Sequence, residues 1–123
     1  MYDKLLILEI LDRIYSATQT ILERFWPVKS VNDFTGSAAG MEKLDSICMQ
    51  LIAIGEALKN LDKITNGALL VQYPQIDWKK AKGMRDIISH HYFDVDAEVI
   101  YHVCKNYIDD MGQAVHAMIK DLA

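Results

Sequence analysis

Leucine and isoleucine recur along the middle of this chain at alternating steps of three and four. Leu44, Ile47, Leu51, Ile54, Leu58 and Leu61 form one such line, the spacing that gathers apolar side chains on one face of an α-helix. The pattern predicts a helix over about Met41–Leu61. An earlier line of Ile7, Leu11, Ile14, Ile21 and Phe25, with Thr18 in the remaining seam position, predicts a first helix over about Asp3–Arg24. Pro27–Gly40 reads as a loop with room for one helical turn, begun by Ser30 or Asn32. Residues 62–77 read as a second connection: Asn66-Gly67 is a turn signal, and Pro74 disfavours helix at Tyr73. Asp77 can cap a third helix running to about Tyr92, and Asp94 or Asp96 a fourth ending near Asp121. The fourth carries the stripe Ile100, Cys104, Ile108, Met111, Val115, Met118 and Leu122.

Composition agrees with helices. The 123 residues are 51% hydrophobic with only two prolines and six glycines, and the apolar set is mostly Leu, Ile, Met and Ala. Length sets the expectation of a single domain over 1–123. Four helices in such a chain predict an all-α bundle whose topology the periodicity leaves open. Cys48 and Cys104 match no metal or redox spacing and sit among apolar neighbours, as buried, reduced thiols do. Met1-Tyr2-Asp3-Lys4 has no signal-peptide character, and no apolar run approaches the roughly 20 residues of a membrane span. A cytoplasmic location is the expectation.

Charge changes the picture more than composition does. The formal net charge is −4, yet residues 78–93 carry Lys79, Lys80, Lys82 and Arg85 against Asp86 alone. This one positive segment also holds His90 and Tyr92, so a fixed cation, a group titrating near neutrality and a phenol lie within eight residues. Lys79, Lys80 and Lys82 are the candidate nucleic-acid-contacting cations, although a solvated helix face would carry the same lysines. Asp86 and His90 are four apart and share a helix face, so the carboxylate could accept the imidazole N–H and fix its tautomer. Arg85 and His90 stand about 140° apart on a straight helix. Either the helix distorts near its end, or a second copy of the chain completes the site.

Arg85-x-x-x-x-His90-x-Tyr92, with a polar residue after the arginine, resembles the signature of HEPN domains of the HepT-like type. Ile54-Gly55-Glu56-Ala57, Tyr73-Pro74-Gln75-Ile76-Asp77-Trp78 and Gly83-Met84-Arg85 fall in the order and approximate spacing of that family. The likeness spans roughly residues 5–120. It implies an up-and-down four-helix bundle that forms a homodimer, with two motifs lining one cleft. It also implies an RNase acting as the toxin of a toxin–antitoxin pair. The partner would be a nucleotidyltransferase antitoxin of the MntA type, silencing the toxin by placing AMP on the tyrosine matching Tyr92.

The residue types suit such chemistry. RNA supplies its own nucleophile in the 2′-hydroxyl, so no metal or other cofactor is required to activate water. His90 would act as general base or acid, and Arg85 would hold the phosphate through its fork of donors. DNA, lacking the 2′-hydroxyl, should resist cleavage. His90-His91 does not make a metal pair, because neighbours on a helix diverge, and His102 and His116 follow no ligand spacing. His91 reads as a packed or partly exposed histidine, and Trp78 and Tyr73 as packing residues. Glu56, acidic in a mostly apolar helix next to Gly55, reads as an outlier with a buried partner, Arg85 or another cation being candidates. A second reading makes the chain a non-catalytic helical module that binds a nucleotide or a partner enzyme, with Arg85 and His90 only holding phosphate.

Overall fold

The computed structural model describes residues 3–90 and 95–123, and for Ser89 and His90 the backbone alone. Among the described residues there are six α-helices, one 3-10 turn at Leu70–Gln72 and no strand: α1 Lys4–Phe25, α2 Asn32–Thr35, α3 Ala38–Thr65, α4 Trp78–His90, α5 Ala97–Asn106 and α6 Ile108–Leu122. The all-helical class expected from the periodicity is therefore found. His91, Tyr92, Phe93 and Asp94 fall outside the described residues, and with them the expected last residues of the third helix and one of the two expected caps of the fourth.

The predicted stripes are buried except at their ends, where Phe25 and Leu122 are partly exposed. Ile7, Leu11, Ile14, Thr18 and Ile21 of α1 and all six apolar positions of α3 are buried in one continuous core, together with Ile100, Cys104, Ile108, Met111, Val115 and Met118. Burying a side chain of this size contributes about 1.5–3 kcal/mol, so these helices are held by their shared faces. α1 packs against α3 and α6, and α4 packs against α3. Thr18 is tolerated at full burial because its hydroxyl donates to the Tyr15 carbonyl at 2.6 Å.

The helix starts follow their caps. Asp3 accepts from Leu6 N–H at 3.1 Å, Asp77 from Lys80 N–H at 3.0 Å, and Asp96 from Glu98 N–H at 2.9 Å. α3 begins three residues earlier than the apolar line predicts, because Ser37 caps it by accepting from Gly40 N–H at 3.0 Å. The short turn expected in the first loop is α2, which buries Phe34 completely. Gly40 allows that turn to lie on α3, since a Cβ there would stand 2.1 Å from the Asp33 carbonyl oxygen. At the other end of α3, Asn66 adopts the left-handed conformation (φ 52°) and Gly67 follows at φ 73°, the turn anticipated from the sequence.

The expected fourth helix is two. Tyr107, at φ −124° and ψ −28°, separates α5 from α6. The Asn106 side-chain amide donates back to the His102 carbonyl at 3.1 Å, the local competition with helix bonding that asparagine brings. Apolar periodicity could not reveal the break, because the buried stripe continues through it on the same side.

Burial sets the character of both thiols. Desolvation pushes Cys48 up to about 11, with Asp45 adding to the effect, and Cys104 up to about 12, with Cys48 adding. Both are thus protonated and weakly nucleophilic near neutral pH. No helix of the described residues is long and apolar enough to cross a membrane.

Candidate functional site

Gly55 sets the distance between α3 and α4. A Cβ at that position would lie 3.1 Å from Arg85 Cβ and 3.4 Å from the Lys82 carbonyl oxygen, so hydrogen is the substituent that fits without displacing α4. The next residue, Glu56, consequently reaches across the seam, and its carboxylate accepts from Arg85 Nε at 2.7 Å. Arg85 is the cation that Glu56 meets, but the pair is half exposed and not buried as expected.

A line of charges extends from that contact. Arg85 NH1 donates to Asp86 Oδ1 at 3.1 Å, and Lys59 Nζ lies 3.6 Å from the same oxygen. Further along the seam, Lys82 is ion-paired with Asp62. Glu56, Lys59 and Asp62 stand three apart on α3 and meet Arg85, Asp86 and Lys82 of α4. Glu56 meets Arg85 and, two turns later, Asp62 meets Lys82, so α4 runs back along α3. Side chains of the first group are about half exposed: Glu56 53%, Arg85 42%, Asp86 50% and Lys59 40%. Exposed pairs of this kind contribute little to the stability of a fold. Their importance here is orientation. Glu56 holds one edge of the guanidinium, and Arg85 NH2 has no partner among the described residues.

Of the lysines singled out in the sequence, Lys79 and Lys80 are exposed, and Lys80 Nζ lies 5.7 Å from the Tyr107 ring centroid. Lys82 is engaged with Asp62 and reaches a ligand only by leaving that pair. His90 ends α4, but its side chain is not described, so the expected Asp86–His90 contact lies outside the description; Tyr92 and His91 do too. His102 meets Asn106 at 2.9 Å and the Tyr107 ring edge-on, while His116 stacks at a tilt on Tyr15. Among the described residues no group of three His, Cys, Asp or Glu side chains is arranged to hold a metal ion. Trp78 and Tyr73 pack as expected, with the indole N–H donating to the Tyr73 carbonyl at 2.8 Å.

A cavity lies elsewhere on α4. A groove of about 640 Å³ runs between α4 and α5, lined by Met84, Ile87, Val99, Val103 and Tyr107 among others, and not by Arg85, Glu56 or Asp86. It is mainly apolar, whereas the charged seam is open to solvent, and α4 therefore presents two chemically different sides. Sequence reasoning missed Lys59 and Asp62. The available signal was the alternating charge at 56, 59 and 62, which complements Lys82, Arg85 and Asp86.

The family model for HepT-like ribonucleases matches residues 7–118. The chain belongs to the HepT-like ribonuclease family. A candidate RNase of Methanocaldococcus jannaschii is 31% identical over 101 residues, covering 77% of this chain and 80% of the relative. A second candidate RNase of that organism is 35% identical over 75 residues, 61% of this chain and 60% of its own length. A candidate RNase of Caldanaerobacter subterraneus subsp. tengcongensis is 31% identical over 67 residues, 54% of this chain and 56% of the relative. No solved structure matches the chain significantly.

The ion pairs also shift a titration. The hydrogen bond from Arg85, and then the charge of Lys59, hold the Asp86 carboxyl below the usual carboxylate range. A depressed carboxyl favours the folded pairing above the ordinary range, and that contribution disappears as pH falls through the lowered value. Arg85→Ala should raise the Asp86 titration toward the ordinary range, and Lys59→Ala should raise it less. Carboxyl carbon shifts followed by NMR against pH measure both. An unmoved Asp86 in Arg85→Ala would contradict the pairing.

Proposed function

We propose that this protein is a metal-independent endoribonuclease that holds the scissile phosphate with Arg85 and moves protons with His90. The observation that carries this reading is the seating of Arg85: a cation fixed on one edge by Glu56 from a neighbouring helix, half exposed, in a chain of the HepT-like ribonuclease family. A guanidinium already oriented loses little further freedom on meeting a phosphate. The 2′-hydroxyl attacks the adjacent phosphorus as its proton passes to a base. The bond from phosphorus to the 5′ oxygen then breaks, and that oxygen takes up a proton. His90 serves one or both transfers, and the products are a 2′,3′-cyclic phosphate and a 5′-hydroxyl. Asp86, one helical turn before His90, would orient the imidazole, while Lys79 and Lys80 would attract the flanking backbone.

The active form would be a homodimeric four-helix bundle. The roughly 140° between Arg85 and His90 in helical register favours a site shared by two subunits, and the exposed Ile87, Val99 and Tyr107 along the groove are apolar surface that a second copy would cover. RNA should be cleaved in excess chelator, leaving cyclic phosphate ends, while DNA of the same sequence stays intact. Arg85→Ala and His90→Ala should fold normally and each lose at least about a hundredfold in rate. Mixing the two inactive variants should restore part of the activity through heterodimers. Full cleavage by His90→Ala would remove His90 from the chemistry, and RNA binding without cleavage by the parent would leave the chain a phosphate-binding module.

In this reading the chain is a toxin controlled by a nucleotidyltransferase that adds AMP to Tyr92, two residues beyond His90. Each AMP brings one phosphodiester charge. A like charge about 5 Å from the substrate phosphate opposes binding by roughly 3 kcal/mol at an effective dielectric near 20. Incubation with such an enzyme and ATP should add AMP at Tyr92, detected by peptide mass mapping, and Tyr92→Phe should escape silencing. Modification at Tyr101 or Tyr107 instead would refute the assignment.

A further inference from the structure

Asp86 Oδ1 is a single anionic oxygen held between two cations from different helices, Arg85 NH1 at 3.1 Å and Lys59 Nζ at 3.6 Å. We propose that Lys59 is a second phosphate-holding cation, and that a non-bridging oxygen of RNA takes the place between Lys59 and Arg85 that Asp86 Oδ1 occupies at rest. The proposal rests on the reading of Arg85 as the phosphate-binding residue and adds the α3 half of that site.

Charge is the first argument. Glu56, Arg85, Asp86 and Lys59 sum to zero, and Arg85 alone faces two carboxylates at 2.7 and 3.1 Å. A site built from Arg85 alone would meet an incoming phosphodiester with a neutralised cation. With Lys59 included, release of Asp86 leaves two cations and one carboxylate around the phosphate.

Geometry is the second. Both distances end on one oxygen, so Arg85 NH1 and Lys59 Nζ are separated by less than the two lengths laid end to end. Two donors so placed can share one phosphate oxygen or take two. Glu56 cannot follow the same exchange without freeing the other edge of Arg85, so the two carboxylates have different tasks: Glu56 stays as the brace, and Asp86 yields.

Availability is the third. Lys59 is 40% exposed and its ammonium has Asp86 as its only partner among the described residues. By contrast, Lys82 is closely paired with Asp62 and only 27% exposed. The freed Asp86 carboxylate would sit one turn from His90, so phosphate arrival would release the group expected to orient the imidazole.

The test is the binding of a single-stranded 2′-O-methyl oligonucleotide, which cannot be cleaved, followed by fluorescence anisotropy across a salt series. Lys59→Met, which keeps the stem, and Lys59→Gln should each bind about tenfold more weakly. Their slope of log affinity against log salt should fall by about 0.7, the value for one phosphate contact on a single strand. Lys59→Arg should restore both. Thermal melting should stay close to that of the parent, because a half-exposed pair holds little of the fold. If both Lys59 variants bind like the parent while Arg85→Ala loses binding, Lys59 is not a phosphate ligand and the Arg85 reading stands. If Arg85→Ala also binds like the parent, or the parent does not bind, the reading beneath the proposal falls with it.

Discussion

Everything specific to this molecule turns on how closely α4 approaches α3 at Gly55. Helix pairs normally keep 8–10 Å between axes because side chains separate them. Here a missing side chain lets Arg85 Cβ and the Lys82 backbone lie against α3. That contact converts Glu56 from an acidic outlier in an apolar helix into the brace of an arginine. It also aligns the stripe of Glu56, Lys59 and Asp62 with Arg85, Asp86 and Lys82. The apolar core supplies the energy that holds the helices together, and the glycine sets the register in which their charges meet.

The division of α4 into two sides follows from the same placement. One side is charged, open and paired to α3. The other faces an apolar groove toward α5, where Tyr107 marks the break that separates α5 from α6. A helix with a half-exposed guanidinium on one side and exposed apolar surface on the other is suited to binding an anion and a second protein surface together. This arrangement explains why the apolar groove and the most chemically suggestive residues do not coincide.

Much of this was legible in the sequence because core positions obey periodicity. The stripes of α1, α3 and α5–α6 are buried as the three- and four-residue steps require, and Asp77 and Asp96 cap where expected. Two features were not legible for physical reasons. The break at Tyr107 depends on an Asn106 side-chain bond that leaves the apolar stripe intact. The start of α3 at Ala38 depends on Ser37 and on Gly40 fitting under α2, a tertiary fit that no local pattern encodes. At the site, Arg85 and Glu56 were readable as candidates, but their contact needs two helices in register, and Lys59 stood out only once Asp86 was seen between it and Arg85.

The central claim is that Glu56 acts through Arg85 and not independently of it. It is tested by a double-mutant cycle on RNA cleavage with Glu56→Gln and Arg85→Lys, where lysine retains the charge but has no Nε for the carboxylate to hold. In the parent, Glu56→Gln should lower kcat/KM by about tenfold, in line with roughly 1.4 kcal/mol of lost orientation. In the Arg85→Lys background the same change should have almost no effect. Losses that multiply in the double mutant would contradict the account and make the contact between the two residues incidental to catalysis.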